Sequence, residues 1–301
     1  MKKINEHDFA GFVGRQESQF IIPASDLTDD VVDVFENGSQ IAGVMMPWSK
    51  THNYVRLRPG EVSIWCGVNG HGKSLILNQV CAWTLHEAKW LIASLEMKPM
   101  STMYRMCRQI SGRTDPTVDY VKRFMSWTDD RLWIYDQLDT VEPDRIIGMI
   151  HYAATQLGIQ HILIDSLMKC GLGGPDDYNA QKKFIDRLCW AAKSNNVHIH
   201  LVAHMRKGIS ENHQPDKFDI KGASEISDMV DNVFIVHRNK DKEEKVRLKK
   251  EVDSEMPDCT LRVAKQRHGE WEGVFNFWFH GEGMQYVPNS SLRAMPFLPL
   301  Q

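Results

Sequence analysis

Gly67-Val68-Asn69-Gly70-His71-Gly72-Lys73-Ser74 is the stretch that decides the fold. It matches the phosphate-binding pattern G-x-x-x-x-G-K-[ST] at every constrained position. An apolar run at residues 62–66 precedes it, and a helical pattern at residues 75–80 follows it. This is the strand, glycine turn and helix of a phosphate-binding loop, in which backbone N–H groups and the helix N-terminus face the anion. The alternative is a glycine-rich turn that ends in Lys-Ser by chance.

The motif predicts a site for ATP or another nucleoside triphosphate together with Mg²⁺. Lys73 is expected to reach the β- and γ-phosphates, and Ser74 to place its hydroxyl on Mg²⁺. The predicted nucleotide-binding residues are Gly67, Asn69, Gly70, His71, Gly72, Lys73 and Ser74.

The composition limits the classes of protein to consider. The chain has 301 residues, 42% hydrophobic and 25% charged, which is typical of a globular protein with an ample core. It contains no apolar run of the ~18 residues that a membrane span needs, and its start does not resemble a secretory signal, so no membrane partner is expected. Six cysteines without a C-x-x-C pair indicate reduced thiols in a cytoplasmic protein.

The net charge of -3 bears on nucleic acid as a partner. A monomeric protein that coats DNA usually has an excess of basic residues. Any contact with nucleic acid is therefore expected to be a small local patch, or one assembled from several subunits.

Strand and helix patterns alternate from about residue 60 onward. Candidate strands span residues 62–66, 90–95, 132–135, 161–164, 197–203, 233–237, 261–264 and 275–279, and candidate helices span residues 74–86, 99–111, 143–157 and 178–194. The alternation predicts an α/β fold with a mostly parallel central sheet and helices on both faces. The last two strands follow one another without a helix, which predicts an antiparallel C-terminal extension.

The chain divides into three predicted segments. Residues 1–40 form an N-terminal segment with a short amphipathic helix, residues 41–287 form the main domain, and residues 288–301 form a flexible tail. The mixed charges of residues 239–251 favour a solvated, mobile loop over a nucleic-acid patch.

Two candidate strands end in a carboxylate, where parallel α/β sheets bind their ligands. Glu96 follows the first strand and is either the acceptor for the proton of an attacking water or an ordinary salt-bridged glutamate. Asp165 follows the second, and beside a phosphate-binding loop this pattern is typical of the carboxylate that supports Mg²⁺.

Three further residues are candidates for contact with the γ-phosphate. His204 ends another apolar strand, although a lone histidine in a turn more often has a structural role. Lys265 and Arg267 lie where a strand enters a turn, and such cations can neutralise charge that develops in the transition state. Taken alone, this last pattern favours two ordinary surface cations.

Taken in order, these pieces resemble one family. The loop, Ser94-Leu95-Glu96-Met97, Ile162-Leu163-Ile164-Asp165, Val202-Ala203-His204 and Ala264-Lys265-Gln266-Arg267 are similar to the RecA-like motor domain of hexameric replicative DNA helicases. These include the DnaB type, phage primase-helicases and Twinkle. Residues 220–238 also resemble the glycine-containing segment that precedes a strand in this family.

The resemblance implies a role for each residue. Glu96 would be the base for hydrolysis, Ser74 and Asp165 would serve the metal, and His204 would sense the γ-phosphate. Lys265 and Arg267 would reach into the site of the neighbouring subunit, so the protein would form a ring, usually of six. The implied DNA-binding residues are Arg206, Lys207, Lys217, Lys221 and Gly222.

The resemblance therefore implies an ATP-dependent helicase that translocates on single-stranded DNA in replication, in the cytoplasm of a bacterium or a phage-infected host. The family's primase, zinc-binding or collar domain has no counterpart in residues 1–40, so a separate primase, collar or loader protein is an expected partner. Alternatively, the short predicted helix docks on the next subunit and closes the ring. The competing function is a RecA-like or KaiC-like oligomer that ATP switches between states, or a loader, without unwinding activity.

Overall fold

The computed structural model describes residues 22–36, 43–173, 177–205 and 225–300. The chain forms two compact units, residues 1–42 and residues 43–301. The described part of the first unit is a 3-10 turn at Ala24–Leu27 followed by helix α1, Thr28–Glu36. Apolar side chains of α1 are exposed, and Phe35 is 83% exposed. No helix in the described ranges is long and apolar enough to cross a bilayer.

A nine-stranded sheet organises the second unit. Its strands are β1 Val62–Gly67, β2 Trp90–Ser94, β3 Leu132–Ile134, β4 His161–Asp165, β5 His198–His204, β6 Asn232–Arg238, β7 Cys259–Gln266, β8 Gly273–His280 and β9 Gln285–Val287. Their order across the sheet is β3-β2-β4-β5-β1-β6-β7-β8-β9. Strands β1 to β6 pair in parallel, and β7, β8 and β9 extend the sheet in antiparallel fashion.

The α-helices of this unit are α2 Lys73–Thr84, α3 Pro99–Ser111, α4 Val118–Trp127, α5 Pro143–Leu157, α6 Tyr178–Asn195, α7 Glu225–Met229 and α8 Lys240–Arg247. Short 3-10 turns occur at Ser49–Thr51, Leu167–Lys169 and Leu298–Leu300. Proline at the first position of α3 and of α5, and left-handed Gly112 and Gly158 just after their ends, explain why these helices begin and end there.

Helices cover both faces of the sheet because successive strand residues point to opposite sides. On β1, Val62, Ile64 and Cys66 face a core cluster with α5, α6 and α7, whereas Trp65 faces a second cluster with α2, α3 and α4. All six residues of β1 are buried. The predicted α/β fold, mostly parallel with an antiparallel C-terminal extension, is confirmed.

Two sequence-based expectations were wrong. The charged run forms α8 because the Asn239 side chain caps its N-terminus and Lys242 pairs with Asp258 at 2.8 Å. The expected flexible tail packs on the sheet's helices instead, because Phe297 is only 3% exposed and its ring lies edge-on to Trp83. The short elements α4 and β9 were not predicted.

A stripe of buried polar groups crosses the amino-terminal half of the sheet on the α2 side. His198 Nδ1 donates to the Arg58 carbonyl at 2.6 Å, and His200 Nδ1 accepts from Trp65 at 3.2 Å. His200 Nε2 then lies 3.1 Å from His161 Nδ1. Burial lowers the pKa of His198 to about 4 and holds the pKa values of His161 and His200 well below the usual range. In the described ranges no three His, Cys, Asp or Glu side chains gather as a metal site would require, so these histidines form a neutral structural network.

This stripe predicts acid-sensitive folding. Below about pH 6.5 the unfolded chain binds protons that the folded chain refuses, so stability present at neutral pH is lost as the pH falls. Each such histidine costs about 1.4 kcal/mol per pH unit until its folded pKa is reached. Urea unfolding at pH 7.0 and 5.0 should show a clear loss of stability over a range of roughly two pH units.

Two variants separate the stripe from the other histidines. His200→Gln, whose amide can both accept and donate, should make the pH dependence shallower, while His86→Gln at an exposed position should leave it unchanged. Equal pH dependence in all three proteins would contradict this assignment.

Candidate active site

The carboxyl ends of four neighbouring strands bring the predicted site residues together. Parallel pairing places Gly67 at the end of β1 beside His204 at the end of β5. The same pairing places Ser94 on β2 beside Asp165 on β4, and Glu96 lies two residues further on. The phosphate-binding loop therefore opens onto the side chains that the sequence singled out.

Two glycines of the loop are required by close contacts. A Cβ atom at Gly67 would overlap the carbonyl oxygen of Val236 on the adjacent strand β6. Gly72 has φ of +86°, and a Cβ there would overlap the Tyr286 hydroxyl. Between them, Asn69 and Gly70 form the exposed tip of the loop.

The loop's lysine is held by the loop itself. Lys73 is only 6% exposed, and its Nζ donates to the carbonyl oxygens of Gly67 at 2.9 Å and Val68 at 3.2 Å. Burial lowers the pKa of Lys73, and the nearby Asp165 carboxylate acts in the opposite direction. A triphosphate in the loop would offer this amine anionic partners in place of neutral carbonyls.

The predicted metal residues are in direct contact. Ser74, in the first turn of α2, donates its hydroxyl to Asp165 Oδ2 at 2.5 Å. Asp165 is 7% exposed, and burial raises its pKa while the Ser74 hydrogen bond lowers it. A serine hydroxyl and a buried carboxylate that face each other beside the phosphates are hard oxygen ligands of the kind Mg²⁺ prefers.

Glu96 and His204 meet at a third residue, Ser166. The Ser166 hydroxyl donates to Glu96 Oε1 at 2.7 Å and lies 3.4 Å from His204 Nε2, which is itself 3.8 Å from Glu96 Oε1. His204 is the main cause that lowers the pKa of Glu96 to about 2, and Ser166 adds to it, although partial burial opposes both. Glu96 is therefore a firmly ionised acceptor at neutral pH.

An open cleft of about 730 Å³ lies over these side chains. Glu96 and His204 line it from the strand ends, and Asn69 lines it from the tip of the loop. The remaining lining residues are Leu95, Lys98, Leu138, Asp139, Thr140, Met168 and Lys169. The cleft leaves space for a phosphate and an attacking water beside the carboxylate.

Lys265 and Arg267 lie at the opposite edge of the sheet from the phosphate-binding loop of their own chain. Antiparallel pairing sets Gln266 beside Asn232, and Asn232 pairs with Ser63 near the amino end of β1. Four residues of β1 separate this level from Gly67, about 13 Å at the usual rise of ~3.3 Å per residue. The structure does not bring these two cations into the site of their own subunit.

The five predicted DNA-binding residues, Arg206, Lys207, Lys217, Lys221 and Gly222, lie outside the described residues.

Sequence analysis missed a pocket that adjoins the loop. His71, in the loop, accepts the backbone N–H of Arg238 at 3.3 Å, and Tyr286 touches Gly72. The Arg238 guanidinium lies over the Phe279 ring at 5.9 Å. This pair and α8 line a pocket of about 280 Å³. No motif links residues 238 and 279, so sequence analysis gave no signal for it, and Ser166 was missed because a lone serine after a strand is common.

The fold and this site define a RecA-like P-loop nucleoside triphosphatase. Comparison with known families agrees: the family model described as "AAA domain" matches residues 50–209, just over half of the chain. The chain belongs to this AAA domain family, whose members bind nucleotide.

Curated relatives add a narrower likeness. The "DNA helicase/primase" of Enterobacteria phage T3 is 26% identical over 205 residues, which cover 60% of this chain and 36% of that protein. The "Twinkle homolog protein, chloroplastic/mitochondrial" of Arabidopsis thaliana is 22% identical over 220 residues, 66% of this chain and 31% of that protein. The chain spans about a third of the length of these relatives.

Solved structures share the fold. One whose title describes it as an ATPase domain has a TM-score of 0.73 at 14% identity, and the match covers 87% of this chain and 98% of that one. A DnaB-like replicative helicase, whose title also names its interactions with primase, has a TM-score of 0.71 at 13% identity and covers 89% and 67% respectively.

The contact between Gly72 and Tyr286 predicts a coupled pair of substitutions. Gly72→Ala should lower the free energy of unfolding by more than ~1 kcal/mol, because alanine is strained at this φ and its Cβ displaces the tyrosine. In a Tyr286→Phe background the loss should be smaller, since the hydroxyl is gone, and urea unfolding of the double-mutant cycle measures the difference.

Gly148→Ala is the matched control, because this helical glycine has open space around it and alanine there should be neutral or stabilising. Equal losses from Gly72→Ala in both backgrounds would show that the hydroxyl does not limit this position.

Proposed function

We propose that this chain is the motor domain of a ring-forming helicase that uses ATP to move along single-stranded DNA and to unwind duplex DNA in replication. The observation that carries the proposal is the division of the predicted site between two edges of the sheet. The phosphate-binding loop, Glu96 and Asp165 lie at one edge, and Lys265 and Arg267 at the other. A complete site then needs two subunits.

The loop side would bind the triphosphate by exchange of partners. Lys73 would leave the carbonyls of Gly67 and Val68 for the β- and γ-phosphates. Ser74 and Asp165 would hold Mg²⁺, which supplies positive charge between these two phosphates when bound.

Glu96 would position the attacking water and finally accept its proton. A carboxylate with a pKa of about 2 is a weak base. Phosphoryl transfer passes through a loose transition state, so orientation of the water matters more than base strength. Ser166 and His204 hold Glu96 in place, and His204 would transmit the loss of the γ-phosphate to the chain that follows it.

Lys265 and Arg267 would complete the site of the neighbouring subunit. Cations supplied in this way neutralise transition-state charge and are worth ~10³–10⁵ in rate. The contact repeats head to tail around an axis, which is the geometry that closes a ring, here of six subunits or a similar number. The exposed apolar side of α1 supports docking of residues 1–40 on the next subunit in the same ring.

The Arg238–Phe279 pocket is the proposed site of the nucleotide base. It adjoins the loop through His71 and offers an aromatic face with a cation over it, so a base can stack there whatever its hydrogen-bonding edge.

DNA would pass through the ring's channel, where six copies of Arg206, Lys207, Lys217, Lys221 and Gly222 would supply a basic lining despite the net charge of -3. The likeness to a helicase/primase and to a helicase that interacts with primase supports a separate primase, collar or loader as partner.

Hydrolysis assays with and without DNA test the proposed function. Single-stranded DNA should stimulate ATP hydrolysis several-fold at low salt, and the stimulation should fall steeply as salt rises. Lys73→Ala should abolish hydrolysis and strand separation, whereas Lys89→Ala, at a surface ion pair with Asp130, should leave both unchanged.

Slow hydrolysis that DNA does not stimulate, combined with ATP-dependent assembly and no strand separation, would overturn the motor in favour of an ATP-switched oligomer.

The base pocket makes a separate prediction. Arg238→Ala and Phe279→Ala should each raise the KM for ATP about tenfold, equivalent to ~1.4 kcal/mol of stacking, with little change in kcat. Arg131→Ala removes a cation from a comparable pair, 5.2 Å above the Trp127 ring, and should not change KM. An unchanged KM in both pocket variants would place the base elsewhere.

A further inference from the structure

Asp231 joins the start of the strand that leads to the phosphate-binding loop to the cation at the opposite edge. It is 2% exposed and immediately precedes β6. Its Oδ2 accepts the backbone N–H of Val62 at 2.9 Å, and its Oδ1 lies 3.2 Å from Arg267 Nε. Its own carbonyl accepts the backbone N–H of Arg267 at 2.8 Å. One buried aspartate thus fixes both the backbone and the side chain of Arg267.

The guanidinium of Arg267 is held along one edge only. Besides the Asp231 contact at Nε, its Nη2 donates to the carbonyl oxygens of Asp228 at 3.2 Å and Met229 at 3.0 Å. Within the described ranges Nη1 makes no protein hydrogen bond, and the side chain is 42% exposed. Since the guanidinium is planar and rigid, anchoring Nε and Nη2 fixes the direction in which Nη1 points.

We infer that Asp231 is the positioning residue for Arg267: it presents the free edge of the guanidinium to the phosphates of the neighbouring subunit. The inference rests on the proposed function, in which Arg267 acts across the subunit boundary. An arginine on a flexible side chain would lose rotamer entropy when it meets the transition state, and the Asp231 contact removes that cost before the neighbour docks.

Asp231 could instead serve only its own loop, through Val62 and β1. The two roles differ in which subunit suffers. If Asp231 positions Arg267, its loss harms the site of the neighbour and leaves its own loop competent. If it supports β1, its loss harms its own loop.

Subunit mixing separates these roles. Asp231→Asn alone should lower kcat at least tenfold with an unchanged KM for ATP, because the amide can still accept from Val62 but loses the charge that holds Arg267. Mixed with Lys73→Ala subunits, it should regain hydrolysis, since its intact loop meets an intact Arg267 at about a quarter of the interfaces in a random equimolar ring. Mixed with Arg267→Ala subunits, it should regain none.

Two further proteins serve as references. Arg267→Ala mixed with Lys73→Ala should recover hydrolysis in the same way. Glu61→Gln changes a buried carboxylate beside Val62 that bonds Asn232 and not Arg267, so it should keep normal kcat. If Asp231→Asn does not fold, Asp231→Glu keeps the buried charge but displaces the guanidinium, and the same results are expected.

Each outcome is decisive. If Arg267→Ala is fully active alone, or if its mixture with Lys73→Ala recovers nothing, the proposed shared site fails and this inference fails with it. If that reference mixture recovers but Asp231→Asn is either fully active or not rescued by Lys73→Ala subunits, only the positioning role of Asp231 is overturned.

Discussion

The parallel pairing of β1 between β5 and β6 is the constraint on which the rest of the site depends. Because the three strands run in one direction, everything at the carboxyl end of β1 meets the carboxyl ends of its neighbours, and everything at its amino end meets their beginnings. Gly67 can begin the loop only because it lacks a side chain where β6 passes. The phosphate chemistry and the Asp231–Arg267 pair are thereby placed at opposite ends of one buried strand.

At the loop, each functional side chain already has a protein partner. Lys73 bonds carbonyls, Ser74 bonds Asp165, and Glu96 bonds Ser166. These bonds matter because an unpaired buried polar group costs ~1–3 kcal/mol. Nucleotide and Mg²⁺ would replace existing hydrogen bonds rather than satisfy empty ones, so the net gain on binding is a difference between two sets of partners. The same partners keep the apo site ordered.

Much of this could be predicted from sequence because strand and helix periodicities are local signals. The alternation of apolar runs placed eight of the nine strands, and the chain order of Glu96, Asp165 and His204 after strand ends predicted that they would meet. The charged helix α8 was missed because its stability comes from the Asn239 cap and from Asp258, a residue outside the run.

Contacts between distant residues account for the other misses. Arg238 and Phe279 meet only because β6, β7 and β8 fold back on one another, and Phe297 is covered only because helices far earlier in the chain form its pocket. Likewise, nothing in the sequence around Arg267 says that a buried aspartate holds it. The signs of the pKa shifts also depend on burial, which no local pattern reveals.

The opposite-edge placement of the two half-sites has a consequence for counting. Copies joined head to tail in an open row always leave one loop without a donor at one end and one arginine without a phosphate at the other. A row of n copies under the proposed function therefore has n − 1 working sites, and only a closed circle has n. Turnover per chain would then report on closure itself, and any protein that opens the circle to admit a DNA strand would silence one site while it does so.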